Sequence, residues 1–331
     1  MSLTHWPNLH AEAFRGVGAC VTGGAGFIGS HLVEALVRLG AKVSVIDDLS
    51  GGDEANFDGF RAEAGDRLRF IKASILDAEA LERAVAGCAL VFHQAALGSV
   101  PGSIDQPQRY HDVNVTGTLN VLQASVRAGV RRVMFAASAA AYGDSEELPK
   151  REAMPTLPKS PYAANKVAGE AMLRAWAASY PIDTAALRYF NIYGPRQNAN
   201  SAYAAVIAAF AKALLQNKAP TIFGDGLQSR DFCFVENVVH ANLLAARASA
   251  PLRGEIFNIA CGERISVNEL ASKMARMMGR PQLVATHGPE RAGDVKHSQA
   301  DIACAQRTLG YRPVVDFDPG LQATVDWYAR A

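Results

Sequence analysis

The first 190 residues alternate short, nearly continuous apolar runs with longer stretches in which apolar positions recur at helical spacing. The runs fall at 18–22, 43–47, 68–72, 90–93, 132–137 and 184–189. A strand covered by helices on both faces has no polar side and reads as an unbroken apolar run, as Val43-Ser-Val-Ile-Asp47 and Arg132-Val-Met-Phe-Ala-Ala137 do. The pattern predicts an α/β fold, a parallel sheet whose strands are joined by helices. One such helix is expected to run through His31 to Leu39. No internal repeat or low-complexity tract interrupts the alternation, which excludes solenoids and arrays.

Beyond Asn191 the texture changes. Loops rich in Gly, Pro and Asn at 191–203 and 223–232 lead into separate helices and short strands. This predicts a larger domain over 1–190 and a smaller lobe over 191–331, interleaved by a strand near 255–260 that returns to the main sheet. Ser266-Val-Asn-Glu269 has the capping-box form ahead of an apolar helix, predicted from Ile265 to about Met278. That feature is structural, not catalytic.

Composition narrows the function. The chain has 331 residues, 49% hydrophobic and 20% charged, with a net charge of +1. Such a chain buries a full core and has no electrostatic hold on nucleic acid, so small, near-neutral partners fit better. Its five cysteines are widely spaced, with no Cys/His cluster of metal-ligand spacing, so no metal is expected and the thiols are read as reduced. The N-terminus lacks a basic region followed by an apolar run, and no stretch reaches about 18 uninterrupted apolar residues. A cytoplasmic protein with no membrane association is expected.

Gly23-Gly-Ala-Gly26-Phe27-Ile28-Gly29 follows the first apolar run and opens a helix, and the second run ends at Asp47. Glycines at such a turn let the backbone approach a pyrophosphate, the free N–H groups of the helix start bind its charge, and an acid ending the next strand accepts from ribose hydroxyls. A carboxylate there repels a 2′-phosphate, which favours NAD over NADP. The glycines alone also serve helix–strand packing; the strand, helix and acid together point to a Rossmann-type, doubly wound sheet with a dinucleotide site. The smaller C-terminal α/β lobe would then bind substrate.

Downstream, Ser160-Pro-Tyr162-Ala-Ala-Asn-Lys166 sets a Tyr and a Lys four apart, on one face of a helix. A phenol is a poor base near neutrality unless positive charge stabilises its phenolate, which Lys166 and an oxidised nicotinamide would both do. By itself such a pair also occurs on solvated helix faces. Ser138 is the one hydroxyl before Tyr142 in Ala136-Ala-Ser138-Ala-Ala-Ala-Tyr142-Gly143, at the carboxyl end of a strand, where open α/β sheets bind ligands.

The spacing Gly-x-x-Gly-x-x-Gly, with Tyr-x-x-x-Lys behind it, resembles the extended short-chain dehydrogenase/reductase family, and from about residue 15 to 330 the chain resembles its sugar-nucleotide epimerases. Within these, AALGSVPGSI, SAYAAVI, GDGLQSRDFCFV and RAGDVKHSQAD are most similar to the UDP-N-acetylglucosamine 4-epimerases. The resemblance implies catalysis by Ser138, Tyr162 and Lys166, with NAD held by Gly23, Gly26, Phe27, Ile28, Gly29, Asp47, Ser74, Ile75, Gln94, Tyr162 and Lys166. Ser74 stands where the family usually has an Asp against the adenine, and a hydroxyl can still accept that bond. The segment 94–103 looks like the loop between nicotinamide and sugar, with Ser99, Val100 and Ser103 facing a hexose; His93 is read as core.

In the smaller lobe, Asn191, Arg230 and Arg291 match positions where the family grips a nucleoside diphosphate, and a guanidinium fork suits phosphate oxygens. Arg188 is read as a strand residue with an internal partner. Phe223 lies in a segment similar to the one along uracil, a position equally suited to plain core. Ser298 corresponds to a pocket position where bulk would exclude a 2-N-acetyl group. The family's dehydratases and decarboxylases carry a carboxylate where this chain has Ala139, Ala140 and Ala141, and alanine moves no proton. The implied activity is C4 epimerisation of a UDP-hexose, either UDP-N-acetylglucosamine or its uronic acid, through a 4-keto sugar. The alternatives are a dehydratase or decarboxylase on the same scaffold and a non-catalytic NAD-binding relative. Apolar helices near 113–128 and 163–178 suit a homodimer as in relatives, or ordinary core.

Overall fold

Seven parallel strands form the central sheet of the computed structural model, in which residues 3–198, 206–290 and 296–330 are described. β1 (Gly18–Thr22), β2 (Lys42–Asp47), β3 (Leu68–Lys72), β4 (Leu90–His93), β5 (Arg132–Ser138) and β6 (Asp183–Tyr189) take up the apolar runs almost residue for residue. A seventh strand, Glu255–Ile259, pairs in parallel with β6 from the far end of the sequence. The order across the sheet is Glu255–Ile259, β6, β5, β4, β1, β2, β3. The direction of winding reverses between β1 and β4, so a crevice opens at their carboxyl ends.

Alternate residues of each strand feed two different cores. Val21, Val45, Phe92, Met134 and Leu187 pack on one face with Leu32 and Leu36 of the helix Phe27–Arg38 and with Val238 and Val239 of the helix Val235–Arg247. Cys20, Val91, Val133, Phe135 and Ala186 pack on the other with Leu81, Leu122 and Leu173. Burial on both faces is the reason the inner runs carry no polar alternation; β3, at the sheet edge, is only half-buried. The helix that the fingerprint opens starts at Phe27 and runs through His31 to Arg38.

A separate core of Phe210, Leu214, Ile222, Phe232, Leu270, Met274 and Leu321 holds the smaller lobe together. Both halves of the capping box at Ser266 and Glu269 form. The helix is Val267–Met277, not a helix from Ile265, because Ile265 and Ser266 pair as an antiparallel strand with Arg230 and Ser229. Among the described residues, no helix is long and apolar enough to cross a membrane.

Candidate active site

A cleft of about 800 Å³ runs along the carboxyl edge of the sheet and into the smaller lobe. The fingerprint forms its floor. Gly23 has φ +67°, and a Cβ there would lie 2.6 Å from the Ala95 backbone; one on Gly29 would lie 2.1 Å from the Gly23 carbonyl oxygen. Only glycine permits so tight a turn. Gly26 starts the helix with no side-chain cap, so the helix start faces the cleft with backbone alone. Asp47 ends β2 and accepts from the Ala25 and Leu49 N–H groups at 2.9 and 2.8 Å, while burial pushes its carboxyl above the ordinary range. Phe27, Ile28, Ser74, Ile75 and Gln94 all line the same cleft.

The helix Pro161–Ser179 carries Tyr162 and Lys166 to this edge. Ser160 caps it by accepting from the Ala163 N–H at 3.2 Å, and Pro161 sits where no N–H is needed. Gly169 lets the helix close on β5, since a Cβ there would lie 2.4 Å from the Phe135 ring. The approach brings the Lys166 ammonium within 2.7 Å of the Ala136 carbonyl, 4.9 Å from the Phe135 ring centre and 5.9 Å from that of Tyr162. Burial lowers Lys166 to about 8, with the charge of Glu170 opposing. Tyr162 is pushed up by burial, and a hydrogen bond with Ser138 acts against that shift. Ser138, Tyr162 and Lys166 thus converge on one wall of the cleft, with Ala139 and Ala140 next to them.

Behind this wall Glu170 meets Arg188 through two parallel bonds of 2.7 Å, both side chains buried. The guanidinium also lies 4.6 Å from the Tyr142 ring centre. Arg188 therefore has its internal partner, one turn of helix beyond Lys166.

Not every expected residue reaches the cleft. Val100 does, but Ser99 accepts from the Gly102 N–H at 3.0 Å as a helix cap, and Ser103 is fully buried and donates to the Val100 carbonyl at 2.6 Å. Short helix-start hydroxyls are taken by the local backbone, so neither lines the cleft. Asn191, Arg230 and Ser298 line the cleft from the smaller lobe. Asn191 and Arg230 also line an adjoining apolar cleft of about 270 Å³, where Phe223 is partly exposed. Arg291 lies outside the described residues.

Several site residues escaped the sequence reading. Asn114 sits in a π-helical turn, Asp112–Thr116, and clamps Leu97 of the cleft loop with both amide atoms, at 2.8 and 3.0 Å. Its signal is faint: a polar residue among β-branched neighbours in a helix. Thr118 donates to the Asn114 carbonyl, so it accepts from Nε2–H of His93, whose Nδ1 accepts in turn from Thr22. His93 is buried and lowered to about 3, a neutral core residue as read. Lys150 and His297 also line the cleft.

Known proteins share this architecture. Residues 19–260 match the NAD dependent epimerase/dehydratase family. The chain is 40% identical over 312 residues to a UDP-glucose 4-epimerase of Mycolicibacterium smegmatis, covering 93% of this chain and 97% of that protein. It is similar to a solved UDP-N-acetylglucosamine 4-epimerase from Methanobrevibacter ruminantium in complex with UDP-N-acetylmuramic acid, with TM-score 0.90 and 39% identity over 96% of this chain and 99% of that one. A UDP-glucose 4-epimerase from Thermotoga maritima with UDP-glucose gives TM-score 0.88 and 36% identity, over 95% and 99% of the two chains.

Proposed function

The chain belongs to the NAD-dependent epimerase/dehydratase family, and from that premise we propose that it inverts C4 of a UDP-hexose through a 4-keto sugar, with UDP-N-acetylglucosamine its best substrate. The observation that carries this reading is the convergence of Ser138, Tyr162 and Lys166 beside a run of alanines that offers no further acid. A dehydration or decarboxylation needs one more group to move a proton or polarise a carboxylate. Epimerisation needs only one.

The glycine turn, the uncapped helix start and the Asp47 carboxylate fit the pyrophosphate and ribose of NAD. The chemistry that the cofactor supplies when bound is acceptance and return of the C4 hydride. Tyr162 takes the proton of the C4 hydroxyl and later gives it back, with Ser138 bonded to the phenol and steadying its proton. Lys166 favours the phenolate by charge. Asn191 and Arg230 hold the diphosphate, so the oxidised sugar is tethered at one end and can turn its other face to the nicotinamide side.

The N-acetyl preference rests on Ser298, which lines the cleft with a small side chain. Replacing Ser298 with Tyr lowers kcat/KM for UDP-N-acetylglucosamine by about tenfold to a hundredfold and leaves UDP-glucose turnover largely intact. Equal loss for both sugars in steady-state assays contradicts the preference. We further read the protein as a cytoplasmic homodimer. The helix pair 112–127 and 161–179 packs on one face of the sheet, with Tyr180 exposed at its end, and the cysteines are free thiols.

A further inference from the structure

Asp231 is fully buried at a junction of chain segments, and its carboxylate is the common anchor. One oxygen accepts from the Cys261 N–H at 2.9 Å; the other accepts from the Gly262 and Ala300 N–H groups at 3.0 and 3.1 Å. Its backbone carbonyl accepts from the Asn191 amide at 3.2 Å, and Arg230 precedes it in the chain. Ala300 lies two residues past Ser298, whose N–H donates to the Ser229 carbonyl at 3.0 Å. The Gln299 amide adds a bond of 2.8 Å to the Gly262 carbonyl. Three cleft-lining residues, Asn191, Arg230 and Ser298, are thus tied through one residue that does not line the cleft, Asn191 through the backbone carbonyl of Asp231 and the segment past Ser298 through its carboxylate.

We propose that Asp231 is a positioning residue that holds Asn191, Arg230 and Ser298 in register for the diphosphate sugar, setting substrate affinity without touching substrate. The inference rests on the nucleotide-sugar reading above. A carboxylate offers acceptors to all three N–H groups, whereas an amide in its place has one acceptor oxygen and turns an NH2 donor toward at least one of them. Three loops that meet on a donor–donor clash move apart, and a binding site built from their tips loses affinity before it loses chemistry.

The clamp also has a pH signature. Burial raises Asp231 to about 6 against its three hydrogen bonds, with the negative charge of Glu263 adding to the shift. Cys233 and Tyr311, which face it, are pushed up by burial and stay neutral near neutrality. Arg230 flanks it as a cation. As pH falls through about 6, Asp231 takes up a proton, an acceptor is lost and affinity drops. His297, on the cleft wall, is lowered and gains its charge in acid, which strengthens the hold on a diphosphate and so acts with the opposite sign.

The test is titration calorimetry of the NAD-loaded enzyme with UDP-N-acetylglucosamine between roughly pH 5 and 8, with steady-state kinetics, on wild type and Asp231→Asn. A nucleotide sugar is chosen because its bridged diphosphate has no proton titrating near neutrality. In the wild type Kd rises as pH falls through about 6. In the variant, Kd and KM are raised about tenfold or more near neutrality, kcat changes by less than about threefold, and acidification weakens binding no further. With the opposing charge removed by His297→Gln, a Kd that is flat or falls through that range overturns the proposal, as does an Asp231→Asn variant that binds normally. The titration in the His297→Gln background decides alone if the Asp231 variant does not fold. Absence of any uridine diphosphate sugar binding by wild type overturns the nucleotide-sugar reading itself, an outcome distinct from a wild type that binds and a variant that matches it.

Discussion

Replacing Tyr162 with Phe lowers kcat for C4 inversion by about 10³–10⁴-fold while the protein stays folded and keeps its dinucleotide. The substitution removes one oxygen from a buried ring and leaves the helix, the Lys166 contact with the Ala136 carbonyl and the glycine turn unchanged. What disappears is the phenol oxygen that hydrogen-bonds with Ser138 and that, in the proposed mechanism, takes the C4 hydroxyl proton. Neither neighbouring alanine can substitute for it, and His93 is too buried and too weak a base, being lowered to about 3. Proton NMR of the sugar gives the rate, and absorbance of the denatured protein's supernatant gives the dinucleotide content. Turnover within about tenfold of wild type, with the dinucleotide retained, removes Tyr162 from the chemistry.

Glu170→Gln costs about 3–5 kcal/mol of stability, which lowers the thermal midpoint by roughly ten degrees. The magnitude follows from geometry. Arg188 donates to both carboxylate oxygens at 2.7 Å, and both side chains are nearly inaccessible. Without the carboxylate, a guanidinium stays buried with an aromatic ring as its main remaining neighbour. Replacing both residues by Met restores most of the loss, because a buried ion pair that is removed whole leaves no stranded charge. Glu170 also opposes the lowering of Lys166, so in the single variant Lys166 falls below about 8. Calorimetric unfolding of the single and double variants checks both statements. A single variant as stable as wild type shows that the pair is not needed to neutralise Arg188.

The two readable layers of this protein are the sheet and the fingerprint, and both are local. The inner strands announce themselves by apolar runs because burial on two faces leaves little room for polar residues, whereas the edge strand β3 is half-buried and carries Arg69 and Lys72. The Gly23–Gly29 turn, Asp47, Tyr162 and Lys166 sit at spacings set by one turn or one helix, so residue type and distance suffice to bring them to one cleft. Ser99 and Ser103 went the other way. A loop reading sees free hydroxyls, but the segment folds as a short helix whose backbone takes them. Ile265 was read as helix because the capping box shows only where the helix starts to be satisfied, while its strand partner Arg230 lies 35 residues upstream. Asn114 gives only a faint sequence signal, and Asp231 stands out only as part of the Arg230-Asp-Phe232 match, for the same reason. Their partners, Leu97 and the backbone at 261, 262 and 300, are adjacent only after folding. Arg188 could be given an internal partner from its strand position, but only the packing of the helix Pro161–Ser179 on β5 and β6 identifies Glu170.

The most direct measurement is proton NMR of UDP-N-acetylglucosamine incubated with the purified protein and no added NAD. Appearance of the galacto isomer, with an equatorial C4 proton replacing the axial one and no other product, is the result the account predicts. Loss of water from the sugar, with C4 configuration never inverted, would contradict it and assign the alanine-flanked site a different reaction.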